Sequence, residues 1–167
     1  MPRLIPVSLF TALTLVGCVA QPTQKYFDPA PAVSSDYAPY DRAGTGILTG
    51  QVFLKTVGGE AKKGVGSRVM IAPATPDNVT NMHYIFDLGM KPTPGAVDPS
   101  RKKYTRLVIA DADGRFEVRD LPAGDYLVAS EVRWQAPSKF GLVNQGGAFY
   151  KRVTVVEGKA TNVSLTQ

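Results

Sequence analysis

An all-β sandwich of seven short strands with one inserted helix is predicted by three features of this sequence. Apolar residues recur at every second position in segments of 4–8 residues, Gly, Pro, Asn and Asp punctuate those segments, and charged residues make up only 20% of the chain. A length of 167 residues with 16 Gly and 13 Pro fits one domain plus a tail, and excludes a coiled coil or a second large core.

The strands follow in order from Gly46. Val52 and Leu54 alternate with Gln51, Phe53 and Lys55, and the glycines at 58, 59 and 64 mark turns before Val69 and Ile71 alternate with Arg68 and Met70. Lys103 to Ala110 reads as the next strand. The stretch from Asp111 to Val128 reads as a central hairpin: Asp113-Gly114 is a tight-turn pair, Phe116 and Val118 alternate with Arg115, Glu117 and Arg119, and Leu121-Pro122-Ala123-Gly124 reverses the chain. Tyr126, Val128, Val132 and Trp134 then share one face, with Glu131 and Arg133 on the other. Phe149 to Val156, with Val153 and Val155 inward, and Ala160 to Thr166, with Val163 and Leu165 inward, complete the set. Seven half-buried strands of this kind bury one face of each of two sheets.

Residues 73–102 interrupt the pattern. Thr75-Pro76-Asp77 has the residue types of an N-cap, first position and acidic first turn, and Val79, Met82 and Phe86 form an apolar stripe before Gly89, Pro92 and Pro94. A helix over about 76–88 is expected, packing its stripe on the domain. The return segment ends in Arg101, Lys102 and Lys103, close to Arg106; Arg101 and Lys102 are the candidate partner-binding residues, and a solvated edge that discourages strand pairing is the plainer reading of the same charges.

The first 18 residues read as an address. Arg3 precedes a largely apolar run from Leu4 to Val16, about 20 Å of helix against the roughly 30 Å needed to span a bilayer, so the run is a leader rather than a stable span. Leu15-Val16-Gly17-Cys18 ends it and contains the single cysteine, which rules out an internal disulfide. This quartet resembles the lipobox of bacterial lipoproteins. The resemblance implies a leader at 1–17 cleaved before Cys18, a diacylglycerol on the Cys18 thiol and acylation (palmitate, for instance) of its amine. Val19 stands where an aspartate signals inner-membrane retention in such proteins, so an outer-membrane location is implied. Residues 18–45 contain prolines and isolated aromatics (Tyr26, Phe27, Tyr37, Tyr40) without periodicity and are expected to be a flexible tether, typically reaching about 29 Å and at most about 84 Å as polyproline.

A second resemblance covers residues 46–166. Gly50-Gln51-Val52, Gly64-Val65, Ala112-Asp113-Gly114-Arg115-Phe116, Leu121-Pro122-Ala123-Gly124-Asp125-Tyr126 and Val153 to Gly158 resemble the carboxypeptidase regulatory-like domain, a transthyretin-like (prealbumin-like) β-sandwich, with 73–102 as the departure. The resemblance implies structural roles for Gly50, Gly114, Phe116, Gly124 and Tyr126, the last as a tyrosine corner. It also implies a domain 46–167 that supplies no catalytic chemistry of its own.

Candidate chemistry is sparse. His83 is the sole histidine, too few for a histidine cluster on zinc or iron, and a solvent-facing side chain on the helix is expected; with Met82 and Met90 it offers only a thin copper site. Asp111-Ala112-Asp113-Gly114 resembles the start of a calcium loop, but the downstream bidentate glutamate is missing and Arg115 adjoins it. Lys55, Glu131 and Asn162 are the residue types of an isopeptide crosslink, yet alternation points all three outward. The formal charge of +5 is too mild and dispersed for a nucleic-acid module. These readings lead to a non-enzymatic lipid-anchored binding or assembly module of the cell envelope, without cofactor beyond the lipid on Cys18, partnered by the membrane and by an envelope protein or glycan. The alternatives are a structural lipoprotein of a secretion or envelope machine, and an enzyme with a pocket beside the inserted helix.

Overall fold

The computed structural model describes residues 23–167; the leader and Cys18 lie outside the described residues. In chain order the strands are β1 (Tyr26–Phe27), β2 (Gly46–Lys55), β3 (Ala61–Lys63), β4 (Arg68–Pro73), β5 (Lys91–Pro92), β6 (Arg106–Ile109), β7 (Arg115–Leu121), β8 (Gly124–Ser138), β9 (Gly141–Val155) and β10 (Ala160–Leu165). Helix α1 is a single turn, Ser34–Tyr37, and α2 is Pro76–Met82, continued by a π-helical turn at His83–Asp87. One sheet places β2 between parallel β10 and antiparallel β7, with β3 pairing the end of β2. The other runs β6-β4-β8-β9, all antiparallel. The seven longer strands form the expected sandwich.

Period-two alternation builds its core. Val52, Leu54, Val69, Ile71, Phe116, Val118, Tyr126, Val128, Val132, Val155, Val163 and Leu165 all enter one buried cluster between the sheets, with Val153 and Trp134 packed at its margin. Burying each such side chain contributes about 1.5–3 kcal/mol, so the inner faces fix the register: a one-residue slip would turn every one of them to water.

The central stretch departs from expectation. β7 pairs with β2 and β8 with β4 and β9, so Leu121-Pro122-Ala123-Gly124 is an arch between the two sheets and not a hairpin reversal. The Asp113-Gly114 turn likewise passes the chain from β6 in one sheet to β7 in the other. Its local chemistry is still that of a tight turn: Asp111 Oδ1 accepts from the amides of Asp113 and Arg115, both at 2.8 Å, and Gly114 takes φ 72°. A Cβ on Gly114 would stand 2.6 Å from the Val52 carbonyl oxygen.

The true hairpin is β8–β9, paired from Gly124↔Val155 to Ser138↔Gly141. Its distal half, past Val132, forms a two-stranded arm with Phe140 exposed at the tip. Pro137 sits in that arm opposite Leu142, where it has no third strand to which it must donate.

Residues 24–45 are not a free tether along their described length. β1 pairs in parallel with β5, Phe27 stacks on Tyr84 at 4.7 Å, Tyr37 packs on Tyr104 at 4.8 Å and Tyr40 meets the edge of Tyr126 at 5.3 Å. This strap, α2 and the return segment together cover the outer face of the β6-β4-β8-β9 sheet around β4 and β8, where Met82, Leu127 and Ala129 form a second small core with Met70, Phe86 and Tyr150 at its margin. The inserted helix starts at Pro76 as expected. Its stripe is only partly buried: Met82 is buried and Phe86 half-buried, but Val79 is 37% exposed.

Candidate functional site

The uncovered outer face of the β10-β2-β7 sheet carries a polar groove. Because side chains alternate, the inner face takes Val52, Phe116, Val118, Val163 and Leu165, and the partners left outside fall in cross-strand rows. Asn162 pairs with Thr49 and Thr49 with Glu117; Ser164 pairs with Gln51 and Gln51 with Arg115. These six line an open groove of about 710 Å³, with Asp111 and the 62% exposed Ile109 along one side. Asn162 Nδ2 donates to Thr49 Oγ1 at 3.0 Å, and Gln51 Nε2 donates to the Asp113 carbonyl at 2.8 Å, so both amides are oriented with their oxygens free to accept. Two amides, two hydroxyls, a guanidinium and two carboxylates, Glu117 paired with Arg119 and Asp111 with the turn amides, stand beside one apolar wall and can exchange hydrogen bonds with a polyhydroxylated ligand while an apolar face of it rests on Ile109.

Rigid backbone holds this face. Gly50 lies between Thr49 and Gln51, and a Cβ there would stand 2.5 Å from the Val163 carbonyl oxygen and 2.6 Å from the Phe116 ring. Lys63 binds Asp113 at 2.7 Å and holds its carboxyl below the usual carboxylate range, which secures the turn under Gln51.

The candidate pair Arg101 and Lys102 behaves differently from expectation. Residues Pro99–Lys103 form a 3-10 turn, so the strand expected from Lys103 starts only at Arg106. Arg101 is buried: its Nε stands 2.9 Å from Asp77 Oδ2, and its Nη2 donates to the Ala30 carbonyl. Asp77 Oδ2 also accepts from the Tyr37 hydroxyl at 2.8 Å. Arg101 is therefore an internal tie between strap, helix and return segment and cannot face a partner, because a buried charge that lost Asp77 would be costly. Lys102 stays exposed. The carboxylate that claims Arg101 lies far upstream in α2, and no spacing rule links the two.

The Tyr126 hydroxyl donates to the Pro122 carbonyl at 2.9 Å across the inter-sheet arch, and burial pushes its pKa well up. Phe116 is buried in the core. Gly124 leaves room for Tyr40: a Cβ would come 2.7 Å from the Tyr40 ring, whose hydroxyl donates to the Asp125 carbonyl at 2.9 Å. His83 is exposed and bonds Asp87 at 2.8 Å through Nδ1, a contact that holds the Asp87 carboxyl below its ordinary value, and Tyr150 donates to the same oxygen at 3.1 Å. Lys55, Glu131 and Asn162 are all exposed, as alternation requires. Among the described residues no group of three His, Cys, Asp or Glu is placed to hold a metal ion, and no helix is long and apolar enough to cross a membrane.

No family profile matches the chain, and no curated protein matches it. Among solved structures it is similar to a protein from Pseudomonas aeruginosa described as a "putative carbohydrate binding protein", with 29% identity and a TM-score of 0.72 over 84% of this chain and 100% of that one. The likeness establishes the sandwich fold and is compatible with a binding module.

Proposed function

We propose that this chain is a non-enzymatic binding module of the cell envelope that holds a glycan in the groove of the β10-β2-β7 sheet. The observation that carries the reading is the pair of polar rows, Asn162-Thr49-Glu117 and Ser164-Gln51-Arg115, left uncovered on one face while the opposite face of the sandwich is capped. The description of the similar P. aeruginosa protein supports it. Cys18 in its lipobox-like setting anchors the module to the outer membrane through lipid, so the groove works at a surface where polysaccharide is concentrated.

The test uses the full chain carrying Cys18→Ser, titrated calorimetrically with peptidoglycan fragments, lipopolysaccharide-derived glycans and capsular polysaccharides. Saturable binding is expected with at least one class. Gln51→Ala or Glu117→Ala should weaken it about tenfold, since each removes a hydrogen bond of roughly 1–1.5 kcal/mol. Binding that survives the triple change Gln51→Ala, Glu117→Ala, Asn162→Ala would place the ligand elsewhere, and no binding to any class would overturn the glycan reading. The same Cys18→Ser chain should move from the membrane to the soluble fraction in cells; continued retention would reject Cys18 as the tether.

A further inference from the structure

On the opposite side of the molecule, between the outer face of β4 and β6 and the cap formed by the strap, α2 and the return segment, lies a cavity of about 380 Å³. It is separate from the polar groove and contrasts with it chemically. Met70, Ala72, Met82, Ile85, Val97 and Leu107 are among the apolar residues of its wall, and a volume in the range of small-molecule sites with an apolar lining is the form that takes an apolar ligand body. Met70 and Met82 are unbranched and polarizable, so the wall adapts to a flexible chain.

The polar groups of the wall are few and point to one kind of head group. Asn81 is buried, and its Oδ1 accepts from the Ala30 amide at 3.1 Å, which commits the side chain's orientation; its Nδ2 donor has no acceptor. A buried donor left unpaired is unfavourable, and a ligand oxygen would satisfy it. Lys102 lines the cavity, is exposed, and pairs with no carboxylate among the described residues. Two other charges line the wall: Arg101 is paired with Asp77 and the Ala30 carbonyl, while Asp98 accepts from the Ser100 amide at 2.9 Å and keeps its negative charge. Among the described residues, Lys102 and the Asn81 Nδ2–H are thus the donors left without a partner beside the apolar chamber.

We infer that this cavity is a second binding site, for a single-chain amphiphile with an acyl tail and a carboxylate head. The tail lies along Met70, Met82, Ile85 and Leu107, and the head accepts hydrogen bonds from Lys102 and Asn81. The site is independent of the glycan reading.

The experiment titrates the full Cys18→Ser chain, labelled with ¹³C at the methionine methyls, with dodecanoate below its micellar range. Met70 and Met82 methyl resonances should shift saturably while Met90, which does not line the cavity, stays in place. Lys102→Glu should weaken dodecanoate at least tenfold and leave dodecanol unchanged. Leu107→Trp, at an exposed edge position, should block binding of both without lowering the melting temperature. Absence of saturable shifts, equal shifts at all methionines, or equal affinity for dodecyltrimethylammonium would each overturn the assignment, and the first of these leaves the glycan titration untouched.

Discussion

Arg101 Nε stands 2.9 Å from Asp77 Oδ2, with both side chains at or below 10% exposure, and this pair joins the two ends of the inserted segment. The Nε–H is not aligned for a hydrogen bond, and Asp77 Oδ1 finds no donor, so the contact is ionic, with the Tyr37 hydroxyl and the Ala30 carbonyl completing the cluster. Removing one partner leaves the other buried without its counter-charge.

Asp77→Asn or Arg101→Met should each destabilise the protein by about 3–5 kcal/mol, measured by urea unfolding, whereas the double change Asp77→Leu, Arg101→Met should recover most of the loss. A single variant within about 0.5 kcal/mol of the parent would show that the cap is not held by this pair.

Tyr126 ties the arch to the core through its hydroxyl and fills the sandwich with its ring, against which Tyr40 packs edge-on. Tyr126→Ala should cost about 3–5 kcal/mol through the lost ring, and Tyr126→Phe about 1–3 kcal/mol through an unpaired Pro122 carbonyl. Thermal denaturation of both variants checks the order. A melting temperature for Tyr126→Ala within a degree or two of the parent would contradict the corner role.

The inner faces were legible in the sequence because a two-layer sandwich imposes period two on every strand that it buries on one side, and Val52, Val69, Tyr126, Val155 and Val163 obey it. Sheet membership was not. The residue types that make Asp113-Gly114 and Leu121 to Gly124 turn are the same whether the next strand pairs with the last or crosses to the other sheet. The strap was missed for a different reason. Phe27, Tyr37 and Tyr40 each dock at a separate place on a surface that the rest of the chain builds, against Tyr84, Tyr104 and Tyr126, and a segment that docks residue by residue has no period to read. Val79 fell off the buried stripe because Asp77, Asn78 and Asn81 occupy the covered face of α2, polar positions that helical periodicity assigns to solvent. The groove was hidden by its own plainness, since polar residues alternating outward are also what any solvated sheet displays.

Glu157 gives a pH dependence with a definite sign. Its Oε1 accepts from the Thr45 hydroxyl and amide, both at 2.8 Å, and Oε2 from the Ala123 amide at 3.2 Å; the Thr45 bonds chiefly hold its carboxyl below the ordinary value. A depressed folded pKa means that this contribution is complete above the unfolded value of about 4.3 and is lost as pH falls through the lower, folded value. Melting temperature should therefore decline on acidification below about pH 4.3, and Glu157→Gln should reduce that decline while lowering stability at pH 7. An identical acid profile in the variant would assign the decline to other carboxylates, of which Asp125, held low by Thr154 and Arg152, is the next to test.

If Cys18 carries a lipid as proposed, docking of the strap shortens the spacer between anchor and domain. With β1 beginning at Tyr26, only eight residue spacings separate it from Cys18, and at 3.3–3.6 Å per residue they reach at most about 29 Å. A tether free through residue 45 would extend to about 84 Å as polyproline. On supported bilayers containing the acylated protein, neutron reflectometry should then find the protein layer beginning within about 30 Å of the lipid surface, and lengthening the chain with a Gly-Ser insert after residue 22 should move it outward. The strap must be undocked, or the anchor misplaced, if the unmodified protein forms a layer well beyond that distance. Phe27→Ala, which removes the stack on Tyr84 beside the β1–β5 pairing, should weaken docking of the first strap residues and lengthen the reach, separating the two explanations: an outward shift in this variant alone identifies docking of the strap as what holds the module close to the membrane.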